Sequence, residues 1–369
     1  MHKIIFFTIF ILLGTEVFAQ ITCSDEDILA VKGSWKKRAD QNMRADKNQA
    51  EINNRLDEIS KIFQSAYPNP KGIEANWYAT MDATPLVNNG PVPYNFNSLY
   101  LAWYCNLHLQ KMMPGTETGT WAYVAVNSLN WFINNQYDNP HLTIDGKPVY
   151  QLPLKKGEWK GYSTYESNAY RDKSRCIIIT RKNELPWKPI SQQHYLQTIK
   201  TQWQEQKQSS ADNYSKQEEN IKHSISINNQ SKILKDAQKA ELNASLQKQL
   251  DDFLKTKDQT IAKSNKNMDD KIKIIDQYMS EASPAVLQGP AIIDRGSGGG
   301  FKGSFSTEEK GGCLLVSINE NYFDMKLPHY VPQLIVLFWR WDNKATGLDF
   351  KKQMEENFDV EKLKAMIDK

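Results

Sequence analysis

The chain has 369 residues, enough to bury a sizeable core and to form two or three structural units. Its 46 Lys and Arg nearly balance 43 Asp and Glu, leaving a formal net charge of +3. That balance provides no overall basic field to draw nucleic acid or an anionic lipid surface.

The N-terminus reads MHKIIFFTIFILLGTEVFAQ. Lys3 supplies a short positive leader, residues 4–13 are an apolar run broken only by Thr8, and Val17-Phe18-Ala19 is a small-x-small cleavage site. These features predict a signal peptide over residues 1–19 and a mature chain starting at Gln20. They imply export to the periplasm, the cell surface or the medium. The apolar run is shorter than the about 20 residues that span a bilayer. Gln20-Ile21-Thr22, before Cys23, lacks the small residue of a lipoprotein signal. No later segment is apolar enough to cross a membrane.

Cys23, Cys105, Cys176 and Cys313 all follow the cleavage site. In an oxidising compartment they allow two disulfides in any of three pairings. Four buried thiols are the other reading, since burial alone suits a free cysteine. No two are close enough in sequence for a CxxC redox or zinc motif.

Residues 20–190 read as the first part of an α+β body. A short helix is expected around residues 25–32. Ile52, Leu56, Ile59, Phe63 and Ala66 recur at steps of four and three, one face of a helix that Pro68 and Pro70 end. "YNFNSLYLAWYCNL" and "WAYVAVNSLNWFI" are rich in aromatic and β-branched residues and predict strands. The second fits neither period cleanly, leaving a buried helix as its alternative. "HLTIDGKPVYQL" predicts a hairpin turning at Asp145-Gly146. "GEWKGYSTY" and "SRCIIITRK" predict two further strands. The second carries the continuous apolar run of a central strand.

Residues 191–283 contain no glycine and no proline. Ser191 is a good helix N-cap. Leu246, Leu250, Phe253, Ile261, Met268, Ile272, Ile275 and Met279 recur at steps of four and three, with Lys257 and Ser264 in two seam positions. Leu196, Ile199 and Trp203 start a similar seam. A narrow apolar stripe on polar helices predicts a coiled-coil-like antiparallel hairpin, with one continuous helix as the alternative. "SISINNQS", poor in helix formers, is the expected reversal. Residues 284–369 return to the body, with "GGCLLVSIN" and "PQLIVLFWRW" as strands of the same sheet. A short helix with Leu363, Met366 and Ile367 closes the chain.

The run "RGSGGGFKGSF" invites a catalytic reading and fails each test. A P-loop needs Gly-Lys-Ser/Thr, but Lys302 lies between Phe301 and Gly303. A hydrolase elbow needs glycine two residues before Ser297, where Arg295 stands. The run reads as a joint between arm and body. His108, His141, His194, His223 and His329 form no metal-ligand spacing, so neither a metal nor a cofactor is implied. Glu117, Asp145, Glu158 and Glu166 lie in the aromatic-rich half without a pattern that marks catalysis.

The strongest functional hint is aromatic. Trp77, Trp103, Trp121, Trp131 and Trp159 crowd one segment. Exposed, they would form a stacking platform for a glycan or peptide; the commoner fate of a strand aromatic is the core.

"AYPNPKGIEANWY", "LYLAWYCN", "RKNELPWKPIS", "SPAVLQGPAIID" and "ENYFDMKLPHYVPQLIV" together resemble segments of a family of exported proteins of Bacteroidetes-type bacteria with no assigned activity. The resemblance implies export and a similar architecture, and brings no catalytic residues. The resulting expectation is a non-enzymatic binding protein of the cell envelope, its arm contacting a protein partner or a second copy. An envelope hydrolase or carbohydrate-binding protein using the aromatic half is the alternative.

Overall fold

A computed structural model describes residues 23–369 apart from 45, 83, 107, 110, 135–142, 167–172, 182–183 and 296–300. The expected signal peptide over residues 1–19, His141 and Ser297 therefore lie outside the described residues.

The elements run α1 (Asp25–Ala30), β1 (Trp35–Lys37), α2 (Gln49–Ala66), β2 (Ile73–Met81), β3 (Tyr94–Asn106), β4 (Lys111–Pro114) and β5 (Trp121–Val126). A π-helical turn over Asn130–Asn134 follows. Then come β6 (Thr143–Ile144), β7 (Lys147–Pro148), β8 (Tyr150–Gln151), β9 (Lys155–Trp159), β10 (Tyr162–Tyr165), β11 (Ser174–Thr180) and β12 (Trp187–Pro189). The long helices α3 (Gln192–Gln230) and α4 (Asp236–Glu281) precede α5 (Pro284–Gln288), β13 (Ile292–Ile293), β14 (Cys313–Ile318) and β15 (Leu334–Arg340). Helices α6 (Ala345–Asn357) and α7 (Val360–Lys364) end the chain. The large mixed sheet is ordered β1-β2-β3-β5-β15-β11-β10-β9, with β4 on β3. The class is α+β, as expected.

Two compact units divide the chain. The first comprises residues 1–81, 95–123 and 339–362. Helix α2 buries Ile52, Leu56, Ile59, Phe63 and Ala66, the very face its spacing marks. Phe63 meets Phe96 and Phe358 at centroid distances of 4.9 and 4.8 Å. Tyr67 donates its hydroxyl hydrogen to Asp349 Oδ2 at 2.7 Å and accepts from the Lys71 N–H at 2.9 Å. Gly33 sits where the chain grazes β2: a Cβ there would lie 1.7 Å from the Ile73 carbonyl oxygen. A disulfide joins Cys23 to Cys105, tying the start of α1 to the end of β3 across 82 residues.

The second unit comprises residues 82–94, 124–338 and 363–369. Here β11 pairs with β10, and β10 with β9 around Lys160-Gly161. The β6–β7 hairpin turns at Asp145 and Gly146, with φ of 52° and 74°, the left-handed pair that Asp-Gly tolerates. Asn127, fully buried, accepts from the Gln333 N–H at 2.8 Å and donates to the Val331 carbonyl at 3.0 Å. Arg181 donates to Asp368 and to the Tyr322 and Gln333 oxygens, closing a polar network.

Several expectations need correction. Only Cys23 and Cys105 pair; Cys176 and Cys313 are buried free thiols, so neither the two-disulfide nor the four-thiol reading holds. Strand β14 does not join the large sheet but forms a small one with β12, β13 and β8. "WAYVAVNSLNWFI" is a strand and then a π-helical turn, which explains its mixed period. "SISINNQS" is helical almost throughout, and the reversal falls at residues 231–235. Asn229 and Asn243 bond across the two helices at 2.6 Å, and this pairing overrides weak local propensity.

Candidate functional site

The helical arm is the most distinctive element of the second unit. Its start is capped: the Ser191 hydroxyl accepts from the His194 N–H at 3.2 Å. Its base is apolar. Tyr195, Leu196, Ile199 and Ile275 share a buried cluster with Ile144, Val149, Ile190, Ala291, Ile293, Phe301 and Leu315. Tyr278 donates to Gln192 Oε1 at 2.7 Å and sets its ring against Phe301 and Phe305.

Further out, the helices pair along the expected seam. Ile221, Leu250 and Met268 are buried in it, and Tyr214 stacks on Phe253 at 5.9 Å. Lys200–Asp276 and Lys207–Asp269 ion pairs hold an antiparallel register. Lys257, a seam position, pairs with Glu218 at 2.7 Å, both largely shielded. Lys222 and Lys257 together hold the Glu218 carboxyl down to about 2. At about 1.5 Å per residue the 39 residues of α3 extend roughly 58 Å. Most of the arm's outer face is exposed.

The glycine-rich run is anchored at this base. Phe301 is 5% exposed and Phe305 packs beside it. At the other end Arg295 reaches Glu166 at 3.5 Å, and Lys156 reaches the same carboxylate at 3.2 Å. Glu166 is thus the one acid of the four in the aromatic half that is buried. Asp145, 3.3 Å from His194, and Glu158, paired with Lys155, are exposed, as is Glu117. The 129-residue separation of Glu166 from Arg295 leaves no local signal for their pairing.

The five tryptophans are divided between the two units. Trp77, Trp103 and Trp121 belong to the first unit, Trp131 and Trp159 to the second. Trp77 is 5% exposed, packed on Phe96 with Lys37 over its ring. Trp103, Trp121, Trp131 and Trp159 are half-buried. Trp131 stacks on Phe338 at 5.5 Å, and Lys160 covers Trp159.

A cavity of about 250 Å³ in the second unit is walled by Leu152, Leu154, Leu185 and Leu314 beside Tyr165 and Trp187. Trp187 belongs to a ring stack with Phe132, which Tyr165 meets edge-on. One carboxylate, Glu308, lines it, alongside Lys155. Retaining or inverting glycosidase chemistry needs two convergent carboxyl groups. Burial pushes the Cys176 thiol up, which disfavours the nucleophilic thiolate. Among the described residues, no group of three His, Cys, Asp or Glu side chains is placed to hold a metal ion, and no helix is long and apolar enough to cross a membrane. Comparison with known protein families, curated proteins and solved structures finds no match to this chain.

Proposed function

We propose that this is an exported, non-catalytic interaction protein of the cell envelope, with the helical arm as the element that contacts a partner or a second copy. The observation that carries the reading is the arm itself. Two helices of 39 and 46 residues spend a thin seam on each other and leave their outer faces to solvent. Such a device extends reach without adding to the core. The Cys23–Cys105 disulfide supports an oxidising destination, as the leader sequence does.

The test is to excise residues 208–268 and join the helices by a short turn at the Lys207–Asp269 pair. The apolar base, with Leu196, Ile199 and Ile275, stays intact. The shortened chain keeps its near-ultraviolet signature and loses its oligomeric state or its crosslinked envelope partners. Retention of both would sink the proposal.

A further inference from the structure

The arm's charges are segregated along its length. Over residues 191–283, fourteen lysines offset thirteen acids. Residues 222–248, which span the reversal, hold five of those lysines and only two of the acids, Asp236 and Glu241. The rest of the arm is mildly acidic, with nine lysines against eleven acids. The near-neutral total hides a cationic tip.

That tip also carries the most exposed large apolar side chain of the described residues. Ile233 is 94% exposed, with Ile227 at 53% and Leu242 at 44% in the adjoining helical turns. The reversal reads Lys232-Ile233-Leu234-Lys235. Both lysines are exposed and neither makes an ion pair among the described residues. The turn is not slack. The Ser231 hydroxyl accepts from the Ile233 and Leu234 N–H groups, and Gln238 accepts from the Lys235 N–H at 3.1 Å. These bonds hold Ile233 outward, away from the seam. A turn that served only to reverse the chain would be satisfied by polar residues.

We propose that this tip docks onto an anionic lipid surface. Ile233 enters the boundary between headgroups and acyl chains, and Lys232 and Lys235 lie against headgroup phosphates. The inference rests on the reading of the arm as the interaction element. One projecting isoleucine is a small patch for a protein interface, which buries roughly 800 Å² on each partner. It suits a lipid surface, which needs no shape complementarity and rewards cations beside an inserted apolar group.

The experiment is sedimentation of the mature chain with phosphatidylcholine vesicles, with and without phosphatidylglycerol. Binding is expected on the anionic vesicles alone and is lost at high salt. Lys232→Ala and Lys235→Ala each weaken it roughly fivefold, and Ile233→Ser weakens it without changing its salt dependence. Leu348→Ser, at an exposed apolar residue of the first unit, leaves it unchanged. Circular dichroism checks the fold of each variant. Absent binding, equal binding to neutral vesicles, or indifference to the tip substitutions overturns the proposal. If vesicles are ignored while Ile233→Ser lowers the oligomeric mass, the tip is a contact between copies; the lipid assignment falls and the arm reading stands. If excising the arm changes nothing as well, both fall.

Discussion

Replacing Cys23 and Cys105 together by serine removes a crosslink that spans 82 residues. A loop of that length, once closed, costs the unfolded chain about 15 cal/mol/K of conformational entropy. At room temperature that is about 4.5 kcal/mol of stabilisation, lost in the double variant. With a urea dependence of about 3 kcal/mol per molar, the midpoint falls by roughly 1.5 M. The assay is urea unfolding followed by tryptophan fluorescence, with and without reductant. Alkylation of the denatured, unreduced mature chain followed by mass measurement runs beside it. Two thiols are expected to react, Cys176 and Cys313, and four after reduction. Four reactive thiols before reduction, or an unshifted midpoint in the double variant, would refute the reasoning. The same result would remove the main structural support for export.

Leu250→Ala, at a seam position 5% exposed, costs the arm about 2–4 kcal/mol. Hydrogen exchange should quicken in α3 and α4 and stay unchanged in β11 and β15. Glu218 gives the arm a pH dependence. Its folded pKa lies near 2, below the ordinary value of 4.5, so its stabilisation is complete above about 4.5 and fades as the pH falls towards 2. Helicity measured through that window should decline, and Glu218→Gln should flatten the decline. Arg295→Met removes one cationic partner of the buried Glu166 carboxylate and destabilises by about 2–4 kcal/mol. Adding Glu166→Gln recovers part of that loss, and a double-mutant cycle in urea measures how much.

Much of the local structure was legible in the residues. The α2 face is set by the 3.6-residue period, and each residue it marks is buried. The arm's seam is legible for the same reason: the positions from Leu246 to Met279 that recur every three or four residues are all shielded in α4. The turn at Asp145-Gly146 could be read because few residues accept two consecutive positive φ angles. Strand β2 was not read from the sequence, since "GIEANWY" has no alternation to show: it is buried along nearly its whole length. Helix α6 was missed outright; it buries only Thr346, Gly347, Phe350 and Met354. The candidate site was less legible still. The tryptophan cluster was visible as composition, but its division between two units was not. Trp187, in the cavity wall, sat in a segment for which no strand was predicted.

What the sequence determined by itself is everything that depends on near neighbours: helix faces, the seam, the tight turns, the four cysteines and the leader that predicts export. What only the tertiary structure decided is who meets whom across long separations. Which cysteines pair, which sheet receives β14, where Arg295 finds its acid, and where the arm turns back all belong to this second group. Periodicity is imposed by the geometry of a few consecutive residues, so it is written locally. A partner is chosen by the packing of the whole unit, and many chain positions offer the same chemistry. The reversal shows the difference: "SISINNQS" has weak helical propensity, yet α3 runs through it because Asn229 and its neighbours have α4 to pack on.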